Sequence, residues 1–200
     1  MVAGEEVHHL TPSKARELGI ACIYQQPALF PDLSVAENIG LRLKKTGLFS
    51  RVSWTGQRTR ATELLHRIGA EISPDAEVQS LSMPEQQLVE IACALGSGAR
   101  IVVMDEPTAS LTQKEQHLLF KIVRDLRDSG VGVIYISHRL EEIFALADRV
   151  TVLRDGESVG TNTVDSLNES QMIKLMVGRE VSSIYPPSES EPGKTVLSLK

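Results

Sequence analysis

Two hundred residues, 42% of them hydrophobic, 24% charged and only 4% aromatic, suit one folded domain with an aliphatic core and exclude a disordered chain, a collagen or a coiled coil. The net charge of −5 leaves no basic face to neutralise a polynucleotide's phosphates, so no nucleic-acid partner is expected. The apolar runs, such as Ile101-Val102-Val103-Met104, are too short to cross a bilayer, and residues 1–6 lack the basic and apolar stretches of a secretory signal.

The first predicted element is a buried strand at residues 19–24, where Ile20, Cys22 and Ile23 form an apolar run that ends at Gln25-Gln26-Pro27. Cys22 and Cys93 both have small or aliphatic neighbours and are expected to be reduced core thiols, not a disulfide or a metal site. A loop and a polar, mostly helical stretch follow. Within it Ala61, Leu64, Leu65 and Ile68 recur at helical spacing, and Gly69 stops the helix. A second helix runs from Pro84 through Leu88, Ile91, Ala92 and Leu95, with proline where its missing N–H leaves no gap.

Residues 100–106 read as a strand buried on both faces, with Asp105 and Glu106 at its carboxyl mouth. Thr112 and Glu115 form a capping box that opens a helix with core residues Leu118, Leu119, Ile122, Val123 and Leu126, closed by Gly130. A strand at 131–136 ends in Ser137-His138. A helix at 140–147 and a strand at 150–153 follow, the latter leading to a turn at Asp155-Gly156. Alternating strands and helices predict an α/β fold of parallel βαβ units. Residues 179–193 have the composition of a linker, and 194–200 alternate like the first strand of something further.

Four features, one of them a pair of residues, carry candidate chemistry. Paired carboxylates at the carboxyl end of a buried parallel strand sit where open α/β sheets place ligands: Asp105 suits a hard cation such as magnesium, and Glu106 can polarise a water. His138 ends the next strand at the same edge, where an imidazole can donate to a phosphate oxygen. Ser82 precedes a helix start, which offers free N–H groups to an anion. Gln25 follows the first strand. Each has an ordinary structural explanation alone; their joint order along the chain is what distinguishes them.

In that order the sequence resembles the ATP-binding subunit of ABC transporters. Tyr24-Gln25-Gln26-Pro27 and residues 29–39 look like the Q-loop and its downstream segment. Residues 81–87 lie where the signature motif belongs. Residues 101–106 look like Walker B, 107–112 like the D-loop, and His138 like the switch histidine. Residues 86–92, 109–112 and 176–180 are further similar to the first half of the monosaccharide importers of ribose, galactose and xylose type, whose ATPase carries two nucleotide-binding domains in one chain.

The resemblance implies a P-loop NTPase sheet of ABC type as the fold. Core segments 1–32 and 96–178 would flank an inserted helical subdomain at 33–95, with 179–193 as linker and 194–200 opening a second ABC domain. It implies ATP and Mg2+ as cofactors. Gln25 and Asp105 would hold the metal and Ser82 the nucleotide, while Glu106 and His138 would be catalytic. The implied partners are a membrane permease, a solute-binding protein reached through it, and a second ABC domain. The implied location is peripheral, on the cytoplasmic face of the membrane.

The sequence also departs from the family pattern. No Gly-x-x-x-x-Gly-Lys-Ser/Thr occurs, since Ser188 stands five residues before Gly193-Lys194-Thr195 where a glycine is needed. The expectation is a domain whose phosphate loop lies upstream of Met1, so that these residues alone are inactive. In the signature, Met83, Pro84 and Glu85 replace the usual two glycines and glutamine. Proline has no N–H to offer, and a carboxylate repels phosphate. In the family this motif acts on nucleotide held by the opposite domain. The composite site it completes is therefore expected to be degenerate, and the site built on Asp105, Glu106 and His138 to be hydrolytic. The alternative is a non-catalytic remnant or a regulatory dimerisation module.

Overall fold

The computed structural model describes residues 2, 4, 6, 7, 9–43 and 53–178. The chain divides into two compact units, Met1–His138 and Arg139–Lys200. The linker and strand expected at 179–193 and 194–200 lie outside the described residues.

In the first unit, α1 (Pro12–Glu17) leads into β1 (Ile20–Ile23), which pairs in parallel with β2 (Ile101–Asp105); β2 pairs in parallel with β3 (Gly132–Ile136). The sheet order is β1-β2-β3. Ile23 faces Met104 and Asp105 faces Ile136 across the ladders, so all three strands end at one edge. Between β1 and β2 run α2 (Val35–Arg42), α3 (Trp54–Arg67) and α4 (Met83–Gly96), which pack on one another. Between β2 and β3 runs α5 (Gln113–Asp128).

Local sequence fixes these helix starts. At α2 the Ser34 N–H donates to the Glu37 carboxylate at 2.8 Å, and the Glu37 N–H donates to the Ser34 hydroxyl at 3.2 Å. The same box opens α5 at Thr112 and Glu115. The Thr112 hydroxyl and N–H hold the Glu115 carboxyl below the ordinary carboxylate range. α4 starts one residue earlier than Pro84, with Ser82 as its N-cap, and the proline is accommodated in the first turn. Ala61, Leu64, Leu65 and Ile68 are all buried, as their spacing predicts. Helix packing is tight at Gly96, where a Cβ would lie 3.0 Å from side-chain atoms of Leu43 and Leu64.

Two sequence expectations are corrected in the sheet. β2 is not buried on both faces. Ile23, Val102 and Met104 point into the core, but on the opposite face Cys22 is exposed and Ile134 and Ile136 are 54% and 47% exposed. α1 and α4 pack against β1 and α5 against β3, while the side chains of this opposite face stay half-buried or exposed. A run of apolar residues therefore misreads as doubly buried, because it says nothing of whether a second layer is present. Cys22 is accordingly not a core thiol, whereas Cys93 is buried, and burial pushes its thiol up to about 12. A thiol reagent at neutral pH is expected to label Cys22 alone in the native chain and both cysteines after denaturation. Rapid native labelling of Cys93 would contradict this packing of α4.

In the second unit, α6 (Leu140–Leu146) is followed by β4 (Arg149–Arg154), β5 (Glu157–Thr163) and α7 (Glu169–Val177). The strand expected at 150–153 does not continue a parallel series; it pairs antiparallel with β5. Asp155 and Gly156 turn the hairpin at φ of 53° and 81°, the left-handed pair that a two-residue connection requires. β5 escapes the sequence reading because Glu157-Ser158-Val159-Gly160-Thr161-Asn162-Thr163 has almost no apolar alternation. α7 packs on β4 and buries Met172 completely. Among the described residues no helix is long and apolar enough to cross a membrane.

Candidate functional site

The sheet delivers its polar residues to one edge. Asp105 is the last residue of β2 and is exposed. Glu106 follows with φ of 44°, a left-handed conformation that costs a non-glycine residue about 1–3 kcal/mol. The surrounding bonds enforce it. The Glu106 N–H donates to the Ile136 carbonyl at 3.0 Å, crossing to the end of β3, and the Glu106 carbonyl accepts from the Ala109 N–H at 3.2 Å. This backbone turn swings the carboxylate back over β3, where Oε1 lies 3.0 Å from Nδ1 of His138.

The sequence alone orders these two groups but cannot bring them into contact; the parallel β2–β3 register does so. The Glu106 and His138 side chains are 35% and 71% exposed, so solvent screens the pair and it adds less than about 1 kcal/mol to stability. An ionised carboxylate only accepts, so Nδ1 carries the proton in this pairing and Nε2 is left facing outward. In the neutral imidazole that outward nitrogen is an acceptor. Donation to an anion needs either a second proton on the ring or release of Nδ1 from Glu106.

Gln25 lies two residues past β1, at the same edge, and is exposed. The loop it begins is held by groups whose role the sequence did not disclose. The Ala28 N–H donates to Glu90 Oε1 at 2.9 Å, and the Ala28 carbonyl accepts from Arg42 Nη2 at 3.1 Å. Phe30 is bracketed by Asn38, whose Oδ1 accepts from the Phe30 N–H at 2.8 Å and whose Nδ2 donates to the Phe30 carbonyl at 3.0 Å. Asn38 and Glu90 are each 3% exposed. A charged residue within the apolar run of α4 was the available signal, since a buried carboxylate needs a specific partner.

Ser82 is placed not by a strand end but by the start of α4. It caps α4, and both its N–H and its hydroxyl donate to Glu85 Oε2, at 2.8 and 2.7 Å. The Glu85 carboxylate thus occupies the serine's own donors. A magnesium ion fits what Asp105 and Gln25 offer: hard oxygen donors, few in number and open to solvent, as for an ion that keeps waters and takes phosphate oxygens. Among the described residues no group of three or more His, Cys, Asp or Glu could form an all-protein cage.

The ABC transporter family model matches residues 1–109. The chain is 49% identical over 199 residues to the ribose import ATP-binding protein RbsA 3 of Rubrobacter xylanophilus, covering 100% of this chain and 40% of that protein. It is 44% identical over 200 residues to the ribose import ATP-binding protein RbsA of Rhodococcus jostii, with the same coverage. The chain therefore spans well under half the length of these curated relatives. Among solved structures it superposes on a dimeric ATP-binding cassette in a post-hydrolysis state with ADP and Pi. The TM-score is 0.67 at 26% identity, over 78% of this chain and 68% of that one. With a family model spanning more than half its residues and a sheet that overlays a known cassette, the chain belongs to the ABC transporter family.

Proposed function

We propose that this chain is part of the ATP-binding, ATP-hydrolysing component of a sugar importer, with hydrolysis at the carboxyl edge of its sheet. The 3.0 Å contact between Glu106 and His138 carries the reading, because it joins a candidate base to a candidate phosphate donor where the strands end. The names of relatives at 49% and 44% identity support a monosaccharide as the cargo.

In this reading ATP is the substrate. Glu106 orients the attacking water and takes its developing proton, and its left-handed backbone keeps the carboxylate over the edge. His138, released as the Glu106 carboxylate turns to the water, donates to the terminal phosphate and stabilises charge that grows during transfer. Asp105 and Gln25 would hold magnesium, which when bound neutralises phosphate charge. Gln25 would also report the terminal phosphate to the helical segment at 33–95, inserted between core segments 1–32 and 96–178.

Ser82 would meet nucleotide held by an opposing domain, weakly, because Glu85 already occupies its donors. A second ABC domain, a membrane permease and a solute-binding protein would be the partners. Attachment to the permease would place the chain on the cytoplasmic face of the membrane. Turnover of Glu106→Gln, in a polypeptide joining this chain to a glycine-rich phosphate loop, tests the reading; an intact rate would overturn it.

A further inference from the structure

We propose that Glu90 is a positioning residue for Gln25: from α4 it anchors the loop that carries the glutamine, so the helical cluster, and not β1 alone, sets the glutamine's reach toward the sheet edge. The inference deepens the nucleotide-site reading and rests on it for the role of Gln25.

Gln25 hangs between two supports. On one side is β1, hydrogen-bonded to β2. On the other is Ala28, three residues on, whose N–H is taken by Glu90 and whose carbonyl is taken by Arg42. Asn38 takes both backbone groups of Phe30. Backbone groups that a neighbouring strand would otherwise satisfy are thus satisfied by side chains of α2 and α4. Pro27, with its fixed φ and no N–H, stiffens the connection between Ala28 and the glutamines. A shift of α2 and α4 against the sheet would therefore be transmitted to Gln25 through a short and rigid link.

The cost of the arrangement points the same way. Val89, Ile91 and Ala92 surround Glu90 along α4 and are buried apolar residues. A carboxylate there loses its hydration, and only specific partners compensate. Burial pushes its carboxyl above the usual range, opposed by the Ala28 N–H, Arg42 and the Tyr24 backbone. One oxygen, Oε2, has no hydrogen-bond partner. What this carboxylate engages is the chain leaving β1, at the Ala28 N–H and the Tyr24 backbone, on either side of Gln25. The neutral isostere glutamine would keep the bond to Ala28 through its own oxygen.

Amide exchange followed by NMR in the 200-residue chain tests the anchoring. In Glu90→Leu the Ala28 amide is expected to exchange about tenfold faster, as when one buried hydrogen bond is lost, with Val102 and Met104 in β2 held within about twofold. In Glu90→Gln the Ala28 rate is expected to return to within about threefold of the native value, which general loosening of α4 would not allow. An unchanged Ala28 in Glu90→Leu, a Gln variant as fast as the Leu variant, or a uniform rise through β2 would each overturn the proposal. If Glu90→Leu does not fold, Arg42→Ala serves, since Arg42 is exposed. It is expected to speed Ala28 about threefold without touching β2, and an unchanged Ala28 rate would overturn the anchoring. The nucleotide reading fails separately: unchanged magnesium–nucleotide affinity in Gln25→Ala, in the polypeptide joined to a phosphate loop, would overturn the role of Gln25 while leaving the exchange pattern intact.

Discussion

Glu106→Gln is expected to lower ATP turnover by about 10²–10⁴-fold in a polypeptide that joins this chain to a glycine-rich phosphate loop, the range typical of losing a general base. The substitution keeps side-chain shape and the left-handed backbone but removes the group that takes a proton. Nucleotide affinity should change little, so the loss falls on kcat and not on KM. Glu106→Gly separates chemistry from strain: it relieves a backbone penalty of about 1–3 kcal/mol, offset by glycine's greater freedom when unfolded, and should leave the chain as stable or slightly more so while turnover is still lost.

Pro84→Gly provides the contrast. Restoring a glycine N–H to the signature affects only the composite site that this motif would complete, so turnover at the Glu106 site should stay similar or rise. Retention of the native rate in Glu106→Gln, or collapse in Pro84→Gly, would reverse the assignment of the two sites.

The second large effect concerns association. The sheet face carrying Cys22, Ile134 and Ile136 is open, with the two isoleucines 54% and 47% exposed. Contiguous apolar surface of this kind drives self-association. β1 and β3 are the outer strands of the described sheet, and an outer strand is a further route to pairing. The 200-residue chain is expected to form oligomers or to be poorly soluble at micromolar concentration. Ile134→Thr with Ile136→Thr, which keeps β-branching while removing apolar area, should shift the population toward monomer. A monodisperse monomer of the native chain by light scattering would contradict this expectation.

Much of the fold is legible because local patterns coincide with tertiary need. The 3.6-residue spacing of Ala61, Leu64, Leu65 and Ile68, and the Thr112–Glu115 capping box, encode helices that form as read. Part of what was not legible depends on neighbours remote in sequence, and part on local segments whose composition gives no hydrophobic signal. Whether Cys22 is covered is decided by what packs on its face of the sheet and not by its own sequence neighbours. The pairing of β4 with β5 follows from a polar strand that no hydrophobic pattern announces.

At the site, the order of Gln25, Asp105, Glu106 and His138 could be read, because strand ends are visible in sequence. The left-handed turn at Glu106 could not, since nothing in Asp105-Glu106-Pro107 demands it. Nor could the grip of Glu90 on Ala28, which joins residues 62 apart.

The most direct measurement is a structure of the phosphate-loop-joined polypeptide with magnesium and a non-hydrolysable ATP analogue. The expected result has the terminal phosphate within hydrogen-bond reach of His138, the metal near Asp105 and Gln25, and the Glu106 carboxylate facing the water position behind that phosphate. A triphosphate bound elsewhere, with these four side chains facing only solvent, would contradict the central claim.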